Sequence, residues 1–424
     1  MPSSMIGKYS ISLNSAHTMS LQLQNLTLFL QRSFVSLMMM SLASLLLGCS
    51  PPPDPIPNVP TQEASQEEFL SHSQRNAWHD DFSTAGNQLA SQLHHNADQL
   101  HLSIETFLRQ PSEENRILAQ QHWLSTYDKF QAMEPALHYL QTIAPPNQLQ
   151  QILLMDQWPI IPGYLDSVAG YPFSGIVNDV TVTLDLKTVI AQHSPTDASE
   201  ASLGFHVLEF FLWGESLGQL KPLQHYSPFE NWQSPQPQRP VTDHPNNRRR
   251  AYLLLLSELI RSTCYQANSL WALPDNTRYS LLALESLYKA LGEIRKDLHQ
   301  PSSVEDNTPT FSGHAHRPLT PRIQALLYFL PAAKSLPTSS RGKGASNATQ
   351  GLGTNNLFTQ QTMDLSNKIN IIISDSQYSL DDKNWSDKLD FALTQMETTL
   401  FNAMGSPTHL AQHPTAASHS AANF

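Results

Sequence analysis

Apolar residues recur at helical spacing along most of the chain, whereas the alternation typical of strands is nearly absent. From 67 to 109 and again from 113 to 140 the apolar positions fall three or four residues apart. Such spacing predicts amphipathic helices. Alternation is confined to the short stretch 180–183. We therefore predict an all-α fold.

Later segments repeat this helical pattern and are separated by proline-rich connections. Irregular connections are predicted for 143–180 and 215–245, where prolines gather and periodicity is lost. Asn246 or Asn247, and further on Asp275, can cap the helices that follow them. The predicted arrangement is two helical bundles. The further helices are expected near 185–193, 204–214, 246–271, 275–299, 320–330, 356–378 and 383–403.

The N-terminal segment has the features of a bacterial lipoprotein leader. An apolar run over 34–47 has the length of a signal-peptide core, and Leu46-Leu47-Gly48-Cys49 resembles a lipobox. We predict a signal peptide over 1–48, with translation starting at Met1 or Met19, and a lipid on Cys49. An ordinary signal peptide with a chance cysteine is the alternative. Ser50 favours the outer membrane.

Composition adds limits rather than an identity. The 424 residues carry a net charge of −11, which argues against a nucleic-acid partner and is compatible with cation capture. A proline-rich tether is predicted for 49–65, a flexible linker for 334–354 and a disordered tail for 405–424. With Cys49 lipidated, Cys264 is left without a disulfide partner.

The chemistry-bearing pattern is His206 and Glu209, three residues apart in an apolar run. Such spacing places both side chains on one helical face, where burial is costly unless they pair with each other or bind a metal. Both interpretations stay open on spacing alone. A zinc-protease motif is missing, because Phe210 stands where the inverted motif requires a second histidine.

Any metal bound by His206 therefore needs ligands from other helices. Glu134, at the end of an apolar stripe, is the first candidate, and Asp243 is the more natural helix cap or arginine partner. Because arginines at a helix start oppose the helix dipole, we expect a buried carboxylate to hold at least one of residues 248–250. His314 and His316 form a loop pair for which the unliganded interpretation is favoured. The remaining carboxylate candidates are Asp156, Asp166 and Asp179.

Several segments, in the same order along the chain, resemble the imelysin family of peptidase-like, iron-regulated lipoproteins. The run 204–214 resembles its Gly-x-His-x-x-Glu signature. Segment 107–112, with Trp123, Tyr127 and Glu134, resembles its first helical hairpin. The other matching segments are 156–159 with Asp166, 239–243 and 248–253, whereas 291–295 and 310–314 match only faintly.

The resemblance implies a lipoprotein that faces the periplasm, with two antiparallel helical bundles over 66–404. The first bundle would span about 66–215 and the second about 245–404. The implied function is binding of a metal ion, iron first and zinc or copper second, in iron uptake. The implied ligands are His206, Glu209 and Glu134, beside a cleft containing Gly204, Trp158, Asp166, Trp213, Asp243 and Arg249.

The implied partners are the metal, the membrane through Cys49 and an envelope transport protein. Two other functions stay open: a metallopeptidase using Glu209, and a peptide- or glycan-binding protein in which His206 and Glu209 only stabilise the fold. Because the zinc-protease motif is missing, binding is favoured over hydrolysis.

Overall fold

The computed structural model describes most of the compact unit Glu67–Phe424. The predicted signal peptide, Cys49, the tether, the linker and the C-terminal tail lie outside the described residues, as do Asp275 and His316. The described ranges are 72–215, 220–232, 239–271, 280–299, 310–314, 317–330, 357–374 and 383–404.

Helices form nearly all of the regular structure in the described ranges, which contain no strand, so the all-α prediction is confirmed. Residues 180–182 lie in turns and a bend, and 183 is irregular, so this stretch is not a strand. The helices are α1 (His72–Arg109), α2 (Glu113–Ala132), α3 (Glu134–Ile143), α4 (Pro146–Leu153), α5 (Pro162–Leu165), α6 (Leu186–Ala191), α7 (Phe205–Trp213), α8 (Pro245–Trp271), α9 (Ser280–His299), α10 (Leu319–Phe329), α11 (Leu357–Ser374) and α12 (Lys383–Met404). Short 3₁₀ helices cover Leu154–Asp156, Leu223–Tyr226 and Val241–Asp243.

The stretch 113–140, predicted as one helix, is two helices joined at Met133. The α2 helix begins after Ser112, whose side chain accepts a hydrogen bond from the Asn115 backbone N–H. It ends at Ala132, and α3 then starts with Pro135 in its first turn. Proline has no N–H to continue the hydrogen-bond ladder, so it is tolerated at a helix start but not inside α2.

The connection 143–180 is also more ordered than its prolines suggested. It contains α4, α5 and the 3₁₀ turn Leu154–Asp156. The α8 helix begins at Pro245, so Asn246 and Asn247 lie inside its first turn. They hydrogen-bond to the preceding loop instead of capping the helix.

The long α1 helix packs along both α2 and α8, and α7 rests between α2 and α8. In the second half, α9 packs against α3, α10 and α12, and α11 packs against α12. Division of these helices into two antiparallel bundles stays a prediction. Among the helices within the described ranges, none is both long and apolar enough to cross a membrane.

Candidate functional site

The α7 helix carries His206 and Glu209 through the centre of the core. Every residue from Phe205 to Leu212 is buried. Gly204 starts the helix with φ of 107°, and a Cβ there would lie 2.6 Å from the Met155 carbonyl oxygen. Glycine therefore permits both the left-handed backbone and the close approach of the Leu154–Asp156 turn. This approach brings Asp156 to the beginning of α7.

Glu209 fixes one side of the His206 ring. The Nδ1 atom of His206 lies 2.7 Å from Glu209 Oε2. The other carboxylate oxygen, Oε1, accepts the Ser312 backbone N–H at 2.8 Å and also the Ser312 hydroxyl. Both oxygens of Glu209 are therefore engaged, and the carboxylate sets the orientation of the imidazole.

Tyr127 and Asp156 face the opposite nitrogen of the ring. His206 Nε2 lies 3.2 Å from the Tyr127 hydroxyl oxygen and 3.5 Å from Asp156 Oδ1. The Tyr127 hydroxyl donates to the same Asp156 oxygen at 2.9 Å. Gln131 Nε2 donates to Asp156 Oδ2 at 2.7 Å. Two carboxylates thus flank one buried imidazole, one at each nitrogen.

This arrangement changes the proton affinity of both titratable groups. Burial by itself would lower the pKa of His206, but the hydrogen bonds and charges of Asp156 and Glu209 outweigh it and raise that pKa to about 9. Burial, and then the charge of Asp156, raises the pKa of Tyr127 well above its usual value. At neutral pH the cluster therefore holds an imidazolium and a neutral phenol, and its cation is a removable proton.

Aromatic rings cover the cluster. The Trp158 ring lies 4.9 Å from the His206 ring, centroid to centroid, and Phe311 packs edge-on against Trp158 at 5.6 Å. Trp123 stacks on Tyr127 at 4.9 Å and contacts Trp213 at 5.4 Å. An apolar cover of this kind lowers the local dielectric and strengthens interactions between charges inside.

A second histidine marks the outer edge of the cluster. His314 Nε2 lies 2.8 Å from Asp128 Oδ1, and the His314 ring lies 6.2 Å from the ring of Tyr127. His314 belongs to segment 310–314, whose sequence matched the family only faintly. In the structure this segment supplies Ser312 and Phe311 to the site as well.

Glu134 lies in a separate ion cluster. Arg322, which is fully buried, donates to Glu134 Oε2 at 2.7 Å and to Oε1 at 3.0 Å. Arg317 donates to Oε1 at 2.6 Å, and Arg322 also reaches Asp297 at 2.7 Å. The structure therefore places Glu134 with two arginines and does not bring it to His206.

Asp166 and Arg249 form a third buried cluster. Arg249 donates to both Asp166 oxygens, at 2.6 and 3.0 Å, and to the His225 carbonyl at 2.9 Å. Burial would raise the pKa of Asp166, but Arg249 outweighs it and lowers that pKa. The prediction that a buried carboxylate holds one of the three arginines is confirmed. Arg248 and Arg250 donate to backbone carbonyls instead.

The remaining candidates lie apart from His206. Asp179 accepts hydrogen bonds from Thr181, and Asp243 ends the 3₁₀ turn before α8. Ser312 and Gln131 were not among the predicted site residues, and Tyr127 was named only as part of the resemblance to the first helical hairpin. A buried tyrosine needs a partner for its hydroxyl, and this was the signal that could have identified Tyr127.

The fit to a metal depends on the Tyr127 side chain. In the described ranges, no group of three or more His, Cys, Asp or Glu side chains could hold a metal ion. The atoms His206 Nε2, Asp156 Oδ1 and Tyr127 OH, however, lie 2.9 to 3.5 Å apart. Metal–ligand bonds of about 2.0–2.2 Å place neighbouring donors roughly 3 Å apart. These three atoms therefore have the spacing of donors that share one cation.

The family model described as Imelysin matches residues 64–308, more than half of the chain. The matched range includes α1 to α9, and with them His206, Glu209, Tyr127 and Asp156. Segment 310–314 begins two residues after the end of the matched range. No curated protein sequence matches the chain.

Proposed function

The chain belongs to the imelysin family, and we propose that it is an envelope lipoprotein that binds a metal ion in iron uptake or handling. The observation that carries this proposal is the buried imidazole of His206 between Asp156 and Glu209. Two carboxylates around one imidazole attract a cation, and the imidazolium proton is a cation that a metal can replace.

His206, Asp156 and Glu209 would have different roles in holding the metal. His206 Nε2 and Asp156 supply nitrogen and oxygen donors on one side of the ring. Glu209 accepts from Nδ1 on the other side, which fixes the ring and raises the basicity of Nε2. A histidine held by a carboxylate in this way is a common feature of metal sites. Nitrogen and oxygen donors suit iron and are compatible with zinc and copper.

The envelope location rests on the leader sequence. The lipobox at Cys49 favours a lipid anchor, and the following tether would hold the domain away from the membrane surface. From the periplasmic face of the outer membrane, a metal-binding domain of this kind would serve an envelope transport protein.

Hydrolysis is the less favoured function for a geometric reason. A metallopeptidase requires a base that can reach the attacking water. Glu209, the candidate base, is fully buried and has both oxygens in hydrogen bonds to His206 and Ser312. Binding is therefore the function that this geometry supports best.

Calorimetric titration of the purified domain with ferrous, ferric, zinc and copper ions tests the proposal. We expect binding of at least one ion, and loss of that binding in His206→Ala. The matched control is His79→Ala, because His79 is also buried and also lies within hydrogen-bond distance of a tyrosine hydroxyl, that of Tyr139 at 2.8 Å. Unchanged affinity in His206→Ala, combined with a lower melting temperature, would support the structural role of the pair instead.

A further inference from the structure

The hairpin formed by α11 and α12 carries an apolar groove on its outer face. We propose that this face is the contact surface of a weak, two-fold symmetric dimer, in which the α11 helices of two copies of the chain run antiparallel. The inference goes beyond the proposed metal-binding function, because the His206 cluster is formed by other parts of the chain.

The inner face of the hairpin holds it on the protein. The two helices pack against each other, and the Trp385 indole N–H donates to the Ile372 carbonyl at 2.9 Å. The α12 helix also packs against α9. Because the apolar side chains of this inner face are already buried, the outer face is left for another contact. The buried side chains include Ile369, Leu389, Leu393, Met396 and Leu400.

Two large apolar side chains lie on the outer face. Ile371 of α11 is 73% exposed and Phe391 of α12 is 57% exposed, and both line the groove between the helices. Lys368 Nζ lies 4.9 Å from the centroid of the Phe391 ring. This cation–π contact holds the ring in the groove. An apolar centre with a polar rim is the usual composition of a protein–protein interface.

The charges along this groove favour a second copy as its occupant. The whole chain carries a net charge of −11, so contact between two copies is least unfavourable at a locally neutral surface. A two-fold interface also requires a patch that is complementary to itself, and equal numbers of aspartates and lysines meet this condition. Among the described residues, the charged side chains that line the groove are Asp364, Lys368, Asp387 and Lys388.

The spacing of Asp364 and Lys368 suits an antiparallel contact. The two residues lie one turn apart on the exposed side of α11. When a two-fold axis passes midway between them, Asp364 of each copy lies opposite Lys368 of the other copy, and symmetry forms both ion pairs at once. An anionic membrane surface fits this groove less well, because its two aspartates would face lipid phosphates.

The size of the face sets the expected strength of the dimer. The helices have 18 and 22 residues, so they are about 27 and 33 Å long. At the usual spacing of packed helices, a two-helix face of this length covers roughly 600 Å² per copy. A standard stable interface buries about 800 Å² per partner. We therefore expect a weak dimer, with a dissociation constant of roughly 1–100 µM.

Exchanging the two charges tests the two-fold arrangement. Asp364→Lys gives a copy with two lysines at this contact, and Lys368→Asp gives a copy with two aspartates. Each variant alone should dimerise about tenfold more weakly than wild type or worse, because both symmetric pairs become repulsive. An equimolar mixture should form a heterodimer at about the wild-type affinity, since every lysine then faces an aspartate.

Sedimentation velocity of the full chain in mild detergent measures these affinities. The control is Lys187→Asp, which makes the same change of charge at an exposed position of α6 and should leave the dimer unchanged. A wild-type chain that stays monomeric at about 1 mM would overturn the proposal. Failure of the two charge variants to associate when mixed would overturn it as well.

Ile371→Glu tests the apolar centre of the same face. Because this side chain is exposed in the single copy, helical circular dichroism should not change, whereas the dimer should be lost. Phe173→Glu is the control, since Phe173 is 88% exposed on a distant loop, and it should remain dimeric. An Ile371→Glu chain that dimerises like wild type would count against the assigned face. Metal titration of the same variant checks the proposed function separately, so the failure of one proposal is distinguishable from the failure of the other.

Discussion

Two carboxylates in this protein, the buried Asp166 and the partly buried Asp156, have different kinds of partner. Asp166 is matched by Arg249, whose guanidinium donates to both of its oxygens. Asp156 faces the imidazole of His206 and the phenol of Tyr127. An arginine cannot lose its proton under physiological conditions, whereas an imidazolium can. The charge of Asp166 is therefore paired with a permanent cation, whereas the cation beside Asp156 is an exchangeable proton.

Like Asp166, Glu134 is paired with permanent cations. Its two oxygens accept from Arg317 and Arg322, and Arg322 is fully buried. A metal would have to compete with two permanent cations for this carboxylate. A buried acidic residue is thus informative about metal binding only when the identity of its counter-ion is known.

The largest expected effect comes from breaking the ion pair of Asp166 and Arg249. Arg249→Met leaves Asp166 buried without its main cation, which should cost about 3–5 kcal/mol of unfolding free energy. Denaturant unfolding followed by circular dichroism measures this loss. Arg261→Met, in the exposed pair with Glu258, is the control and should cost less than about 1 kcal/mol. Metal affinity should survive in both variants, and a loss in Arg249→Met alone would mean that the two clusters are coupled.

The protonated His206, held between Asp156 and Glu209, should make the stability of the metal-free protein depend on pH. The folded-state pKa of His206 is raised to about 9 from its ordinary value of 6.5. A raised pKa contributes stability that is fully present below 6.5 and is lost as the pH rises through 9. Because one pKa unit corresponds to about 1.4 kcal/mol, the loss is on the order of 3 kcal/mol.

Unfolding of wild type and His206→Gln over this pH range isolates the contribution of His206. The groups that face it, Tyr127, Asp156 and Glu209, are present in both proteins. The stability difference between the two proteins should therefore shrink from pH 6.5 to 9. A constant difference would indicate that the imidazole is neutral in the fold, and that the carboxylates around it are not balanced by its proton.

Most helices could be predicted from the sequence, because each depends on apolar spacing and on the residues at its own ends. The ends predicted at 109, 113 and 271 agree with helices that end at Arg109, begin at Glu113 and end at Trp271. The break at Met133 was missed, because the apolar stripe continues across it while the proline interrupts the backbone. The short helices in 143–165 were not predicted, because each begins with a proline and prolines are also typical of loops.

Only part of the site could be predicted from the sequence, because its other contacts join residues that are far apart along the chain. His206 and Glu209 are neighbours on one helix, so their spacing revealed the pair. Ser312 reaches Glu209 from 103 residues away, and only the folded chain makes that contact visible. Asp156 was one of five carboxylate candidates that composition could not rank. Its selection depends on Gly204, which allows the Met155 backbone to approach the start of α7.

The smallest expected effect comes from replacing one glutamate by glutamine in each cluster. One glutamate faces the His206 imidazole and the other is paired with arginines. Glu209→Gln keeps the shape of the side chain but removes the charge behind His206. The bound metal carries more charge than the proton it replaces, so losing Glu209 should weaken the metal more than the proton. We expect affinity to fall about 10- to 100-fold. In Glu134→Gln affinity should remain at the wild-type value, because the arginine cluster lies apart from His206. Calorimetric titration of both variants measures the difference, and weaker binding in Glu134→Gln would restore Glu134 as the ligand that the sequence suggested.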